Sequence, residues 1–365
     1  ATMADLLADV TRQLAANHGD GGQSGAKNPF PPAMQGKYKR VKVVGRGSFG
    51  EAVLLRCMAS GNHYVSKEVN LSSMQPKERQ EAINEVRFLA QLDHPNIIKY
   101  HDSLHWKNIL YIVMEYADAG DLWDLVQGRH RMGRRLEETE VLSFFCQICM
   151  ALKYMHDKKM LHRDLKTGNV FLTSRGVAKL GDFGISTVMT STIALAKTVC
   201  GTPQYFSPEL CQGKPYNNKS DIWALGCILV EMLTGRLCFE GSNMHDLYHK
   251  IMKAELPTLP SCYSQELRAL CQRIFCQQQA MRPTATALLR SYVLVAFLKD
   301  VQNNSKQLES PKPSPKKRAS SPPPDPGAGP APVHHAPRPQ QPPKQHSVRA
   351  PQPRQDSFRR PVPVP

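Results

Sequence analysis

The stretch HRDLKTGN (162–169), followed by LGDFG (180–184), gathers two aspartates, a lysine and an asparagine in an otherwise apolar neighbourhood. Its flanks, KYMHDKKML (153–161) and VFLT (170–173), read as buried. Desolvated charges are costly unless they are paired or meet a ligand, so these polar groups need a shared purpose.

Outward from this stretch the chain changes character twice. From Tyr38, alternating residues and short β-branched runs recur in YKRVKVVG (38–45), EAVLLRC (51–57), HYVSKEV (63–69) and LYIVMEY (110–116). They predict an antiparallel sheet, interrupted by the amphipathic helix PKERQEAINEVRFLAQL (76–92). After Asp121 the pattern is mostly helical, with long apolar stretches at 141–155 and 221–234. Strands first and helices afterwards indicate an α+β protein of two lobes. The expected boundaries are a flexible leader over 1–37, a domain over 38–297 divided after residue 117, and a disordered, basic, proline-rich tail over 298–365. The leader holds one candidate helix, ADLLADVTRQLAA (4–16), before the glycine-rich GDGGQSG (19–25).

The 365 residues are 41% hydrophobic, which suits a soluble globular protein with a sizeable core. No run has the length of a membrane helix and no signal peptide opens the chain, so a cytosolic or nuclear protein is expected. The ten cysteines are scattered. Cys146-x-x-Cys149 lacks a second pair and is read as helix packing, as free thiols in a reducing compartment usually are. His245 and His249 have helical metal-pair spacing but no HExxH glutamate, and are read as ordinary helix residues. The net charge of +16 raises nucleic-acid binding as a runner-up, but about half of it lies beyond residue 300, in the tail.

GRGSFGEAV (45–53) has the G-x-G-x-x-G spacing in Gly45, Gly47 and Gly50, with Val53 taken to complete the longer form. A dinucleotide fold would place a helix after the third glycine and a Walker loop a lysine; here Glu51 leads straight into a strand. Strand, glycines, strand describe a hairpin flap, running from Val44 through Arg46, Ser48 and Phe49, whose backbone N–H groups can cover the phosphates of ATP. The next strand carries Lys67 in an apolar context that suits a lysine facing an anion. Glu85 on the following helix is preferred over Glu81 as its partner, because Leu89, one turn later, then points into the space between the lobes.

GxGxxGxV, the strand lysine, HRDLKTGN, DFG and SPE (207–209) together resemble the eukaryotic protein kinases in order and spacing. The resemblance implies a two-lobed kinase fold that uses ATP with Mg2+, for which Mn2+ can substitute. It implies that Asp164 accepts the proton of a substrate hydroxyl and that Lys166 reaches the transferring phosphoryl group, as in serine/threonine kinases. Asn169 and Asp182 would hold the metal ions, and Lys67, oriented by Glu85, the α- and β-phosphates. LYIVMEYADAGDL (110–122) resembles the kinase hinge: Met114 is the gatekeeper, the backbone of Glu115 and Ala117 meets the adenine edge, Asp121 reaches the ribose, and Val53 and Val65 sandwich the base. Between Asp182 and Glu209 stand Thr190, Ser191, Thr192, Thr198 and Thr202. Thr198 is chosen as the activating phosphosite, with Arg163 as its partner; Thr202 is expected to bond Asp164 and Lys166. Glu209 is expected to pair with Arg282, and Asp221 to hold the catalytic loop's backbone from below. The alternative is a kinase-fold scaffold acting through its tail.

Within the kinases, HRDLKTGNVFLT, KLGDFGIS, AKTVCGTPQYFSPELC, PYNNKSDIWALGC and YIVMEYADAGDL are similar to the NIMA-related (Nek) family over about residues 38–297. That resemblance implies a serine/threonine kinase of protein substrates linked to the cell cycle, centrosomes or basal bodies, and microtubules or cilia, in a cytoplasmic, cytoskeletal or nuclear setting. It also implies a preference for an apolar residue three before the acceptor, and Ile185 is compatible with threonine as well as serine. No heptad run follows the domain, so a monomer is favoured. Val65-Ser66-Lys67 departs from the V-A-I-K wording, and GRHRMGRRLEE (128–138) adds a basic loop read as solvated. In the tail, Ser310, Ser314 and Ser321 precede proline, PKKR (315–318) is a minimal nuclear-import pattern, and SVRAP (347–351) and SFRRP (357–361) form a near-repeat that suggests docking partners.

Overall fold

The computed structural model describes residues 30–47, 50–72, 74–76, 79–80, 82, 86, 89–182 and 202–309. The small lobe opens with α1 (Pro32–Gln35) and continues with β1 (Tyr38–Gly47), β2 (Gly50–Cys57), β3 (His63–Asn70), β4 (Tyr100–Trp106) and β5 (Ile109–Glu115). These form one antiparallel sheet in the order β1-β2-β3-β5-β4. Lys107 and Asn108, at φ 46° and 59°, make the two-residue turn between β4 and β5. Two successive left-handed residues are what a type I′ hairpin needs to match the twist of its strands. Between β3 and β4, residues 76, 79, 80, 82, 86 and 89 are helical. Ala82 and Val86, one turn apart, are buried against Val69, Leu71, Leu110 and Ile112.

Strand alternation sorts this sheet into two faces, and the sorting corrects one expectation. Ala52 lies opposite Lys67 and Leu54 opposite Val65, so these side chains share the face that looks into the cleft. Val53 lies opposite Ser66 and is buried on the other face with Met34, Tyr38, Leu55, Tyr111 and Val113. Because the side-chain period of a strand is two, Val53 cannot sandwich a base that Val65 touches. Counting from Gly45, the eighth place of the glycine motif falls on Ala52. A second correction concerns the leader: Met34 and Phe30 cover the apolar outer face of the sheet, so the packed fold begins before Tyr38.

The large lobe contains α2 (Leu122–Arg131), α3 (Glu138–Asp157), the hairpin β6 (Val170–Leu172) and β7 (Ala178–Leu180), then α4 (Pro208–Cys211), α5 (Asn218–Thr234), α6 (Met244–Lys253), α7 (Gln265–Ile274), α8 (Ala285–Leu289) and α9 (Tyr292–Glu309). A capping box of Asn217 and Ser220 starts α5, and every residue from Ser220 to Leu233 is buried, as expected of a helix at the centre of a core. At Gly226 a Cβ would come within 2.6 Å of Ile274, so glycine lets α7 approach closely. Trp223 of α5 stacks on Phe239 and meets Phe275 edge to face.

Cys146 and Cys149 are free thiols buried on α3, and burial pushes both upward in pKa, as packing residues rather than nucleophiles. His245 and His249 sit on α6, and no metal-holding cluster of His, Cys, Asp or Glu occurs among the described residues. No described helix is long and apolar enough to cross a membrane. The tail boundary also moves: α9 continues to Glu309, past the expected end at residue 297. Its sequence has no proline or glycine before Pro311, and the residue preceding a proline disfavours helix.

Candidate active site

The cleft residues come from both lobes. From the small lobe, β3 delivers Lys67, whose Nζ donates to Asp182 Oδ1 at 2.7 Å. Desolvation alone would raise the Asp182 carboxyl; the Lys67 charge and hydrogen bond, with Lys166 beyond, outweigh it and hold the group below its usual range. Asp182 is therefore a carboxylate near neutrality, as a ligand of a hard cation must be. Its backbone is left-handed, φ 51°, and the preceding Gly181 has no room for a Cβ, which would lie 2.8 Å from Phe171 and 2.9 Å from Ile98. Gly181 N–H donates to Asn169 O at 3.0 Å, tying this turn to the catalytic loop.

The loop itself is built around Asp164. Lys166 Nζ lies 3.1 Å from Asp164 Oδ2 and 3.5 Å from Thr202 Oγ1. Asn169 Nδ2 donates to Asp164 O at 2.7 Å and to Asp164 Oδ2 at 2.9 Å, which leaves its amide oxygen as a ligand atom. Thr202 thus meets Lys166, and among the described residues no hydrogen bond joins it to Asp164.

Beneath the loop, Asp221 accepts His162 N–H at 3.1 Å and Arg163 N–H at 3.2 Å. The same carboxylate meets His156 Nε2 at 2.8 Å and Tyr216 OH at 2.5 Å, partners the sequence reading did not name. These bonds hold Arg163 in a left-handed conformation, φ 68°, with its side chain exposed. Farther down, Arg282 and Glu209 form a buried bidentate pair at 3.0 and 3.1 Å. Burial would raise Glu209, yet hydrogen bonds from Arg282 and Ser220 and the Arg282 charge hold it at about 2.

At the back of the cleft, Met114 lines a small recess with Lys67, Leu89, Ile98, Tyr100, Gly181 and Asp182. Leu89 therefore faces the space between the lobes; Glu85 and Glu81 lie outside the described residues. Val65 pairs with Met114 across β3 and β5. Glu115 donates its N–H to Lys99 O at 2.8 Å, so its carbonyl is the backbone group it has to offer a base. Asp121 caps α2 by accepting Asp124 N–H at 2.8 Å, which occupies one carboxylate oxygen. Val44 is exposed, in the register shift of β1 between Val43 and Gly45. In the flap, Gly45 pairs with Ala52, Gly47 with Gly50, and Arg46 with the Glu51 carboxylate at 3.0 Å. A Cβ on Gly50 would lie 1.7 Å from Glu68 O, so only glycine brings β2 this close to β3. Ser48, Phe49, Thr190, Ser191, Thr192 and Thr198 lie outside the described residues.

A family model described as the protein kinase domain matches residues 38–294. The chain belongs to the protein kinase family. Within it, the chain is 48% identical over 253 residues to the serine/threonine-protein kinase Nek1 of Mus musculus, covering 69% of this chain and 21% of that protein. It is 46% identical over 257 residues to the probable serine/threonine-protein kinase nek3 of Dictyostelium discoideum, covering 69% and 23%. To the serine/threonine-protein kinase Nek5 of Homo sapiens it is 42% identical over 255 residues, covering 70% and 36%. The chain thus spans only a fifth to about a third of the length of these relatives.

The donor set fits the nucleotide and metal a kinase uses. Asp182 and Asn169, the two residues expected to hold metal ions, both bring oxygen donors to the cleft beside Lys67 and Asp164. Mg2+ is usually bound in this way, by few protein ligands together with substrate phosphates.

Proposed function

We propose that this kinase domain transfers the γ-phosphoryl group of Mg-ATP to serine or threonine hydroxyls of proteins, as a kinase of the NIMA-related type. The observation that carries the reading is the convergence of Lys67, Asp182, Asp164, Lys166 and Asn169 at one point between the lobes. Adenine enters between Val44, Ala52 and Val65 above and the hinge behind, where Glu115 C=O and Ala117 N–H meet its edge and Asp121 the ribose. Gly45, Gly47 and Gly50 let the flap backbone close on the triphosphate. Lys67 would bind its α- and β-phosphates, and Asp182 with Asn169 would hold the metal. Bound Mg2+ neutralises charge on the phosphates. Asp164 aligns the acceptor hydroxyl and takes its proton; Lys166 offsets charge on the transferring group.

Serine/threonine specificity is supported by Lys166 and by the names of the relatives. Thr198 is proposed as the activating phosphosite, its phosphate met by the exposed Arg163. A cytoplasmic setting at centrosome, basal body or microtubules, or a nuclear one, belongs to the same reading, as does a monomeric chain whose proline-rich tail docks partners.

The test is phosphate incorporation from radiolabelled ATP into casein. Wild-type protein is expected to label it, and Lys67→Met and Asp164→Ala to abolish labelling. Labelling that persists in both variants would sink the proposal.

A further inference from the structure

Glu231 lies on α5, fully buried, in a helix otherwise built largely of apolar residues. Its Oε2 accepts two hydroxyls, Tyr205 at 2.5 Å and Thr167 at 2.9 Å, which stand 3.2 Å from each other. Its Oε1 is shielded from solvent and has no partner among the described residues. Both hydroxyls belong to segments that frame the reaction. Thr167 follows Lys166 directly, and Tyr205 ends the short 3-10 turn that Thr202 begins. Lys166 in turn reaches from Asp164 to Thr202. The catalytic loop, held from below by Asp221, and the substrate-side strap therefore meet at a single oxygen atom.

We propose that Glu231 is a positioning residue for phosphoryl transfer: it clamps Thr167 to Tyr205 and so sets where Lys166 and Thr202 stand relative to Asp164. The proposal rests on the kinase reading given above. Among the described residues no cation faces this carboxyl; the titratable groups around it are the Tyr205 hydroxyl and the Cys227 and Cys238 thiols. Desolvation pushes Glu231 up to about 7, against the Tyr205 and Thr167 hydrogen bonds, and desolvation with the Glu231 charge drives Tyr205 far upward. Tyr205 stays a donor throughout. A neutral carboxyl still accepts both hydroxyls through its carbonyl oxygen, and a glutamine amide offers the same acceptor, whereas leucine offers none.

The experiment compares kcat, KM for ATP and melting temperature in the full chain for Thr167→Val, Tyr205→Phe, their double variant, Glu231→Leu and Glu231→Gln. Each hydroxyl deletion is expected to lower kcat about tenfold with KM for ATP little changed. The double variant should fall no further than the worse single, because both act through one oxygen. Glu231→Gln should recover most of the kcat lost in Glu231→Leu. The titration gives an independent readout. A carboxyl raised in the folded state keeps its proton where the unfolded chain releases it, so wild-type stability falls as pH rises from about 4.5 towards about 7. Glu231→Gln lacks this loss, and its melting temperature should gain on wild type as pH rises. Multiplicative losses in the double variant, a raised KM for ATP at unchanged kcat, or a folded Glu231→Gln as impaired as Glu231→Leu would overturn the clamp. If Glu231→Leu does not fold, the hydroxyl pair decides. A wild-type chain without transfer overturns the proposed function instead, and additive losses of melting temperature in Thr167→Val and Tyr205→Phe then overturn the clamp.

Discussion

Replacing Arg282 by methionine removes a guanidinium that is fully buried, as its partner Glu209 nearly is. Arg282 meets both Glu209 oxygens at 3.0 and 3.1 Å, donates to Lys219 O at 2.6 Å and Cys276 O at 3.2 Å, and lies 4.9 Å over the Trp223 ring. Two routes to the magnitude agree. Glu209 sits at about 2 against an ordinary 4.5. At about 1.4 kcal/mol per unit, that gap corresponds to about 3 kcal/mol, part of it from Ser220. Removing one member of a buried pair typically costs about 3–5 kcal/mol, because the other charge is left desolvated. The expected loss at neutral pH is thus about 3–4 kcal/mol. A depressed carboxyl stabilises the fold above its unfolded pKa, and that contribution fades as pH falls from about 4.5 towards about 2. Urea denaturation should therefore show Arg282→Met with a much lower midpoint at pH 7, a gap that narrows in acid, and partial recovery in Arg282→Met/Glu209→Gln. An unchanged midpoint at pH 7, or a gap independent of pH, would show that the Glu209–Arg282 pair does not stabilise the fold.

Val53→Ala should cost about 2 kcal/mol in urea denaturation, for two buried methyl groups, without changing KM for ATP. Ala52→Phe, on the opposite face, should raise KM for ATP severalfold in steady-state assays. Gly181→Ala forces a methyl group against Phe171 and Ile98 and should lower stability by about 1–3 kcal/mol, together with kcat, read by melting curves and turnover. Thr198→Ala should depress activity, and mass spectrometry of active wild-type protein should find phosphate at Thr198.

The chemistry-bearing residues were legible through the resemblance to protein kinases, carried by motifs that lie close in the chain, and the structure brings Asp164, Lys166, Asn169 and Asp182 together with Lys67. Asp221 and the Glu209–Arg282 pair, structural rather than chemical, were legible through that resemblance alone. Which face of β2 a residue occupies was harder to read, because it depends on register with β3; the motif's own spacing nevertheless pointed to Ala52 instead of Val53. The packing of Phe30 and Met34 and the reach of α9 depend on tertiary burial and on the first helix-breaking residue, neither of which a shift in composition marks sharply. The Glu231 cluster joins three segments far apart in sequence. Its one signal was a second carboxylate, ten residues after Asp221, in the otherwise apolar stretch IWALGCILVEML (222–233).

Serine/threonine phosphoryl transfer is tested most directly by following the terminal phosphoryl of radiolabelled ATP onto a peptide array carrying serine, threonine or tyrosine acceptors, with wild-type protein and Asp164→Asn. Wild-type protein should label serine and threonine peptides, most strongly with an apolar residue three before the acceptor, and Asp164→Asn should lose that labelling while still binding ATP. Labelling confined to tyrosine, or undiminished in Asp164→Asn, would contradict serine/threonine transfer through Asp164.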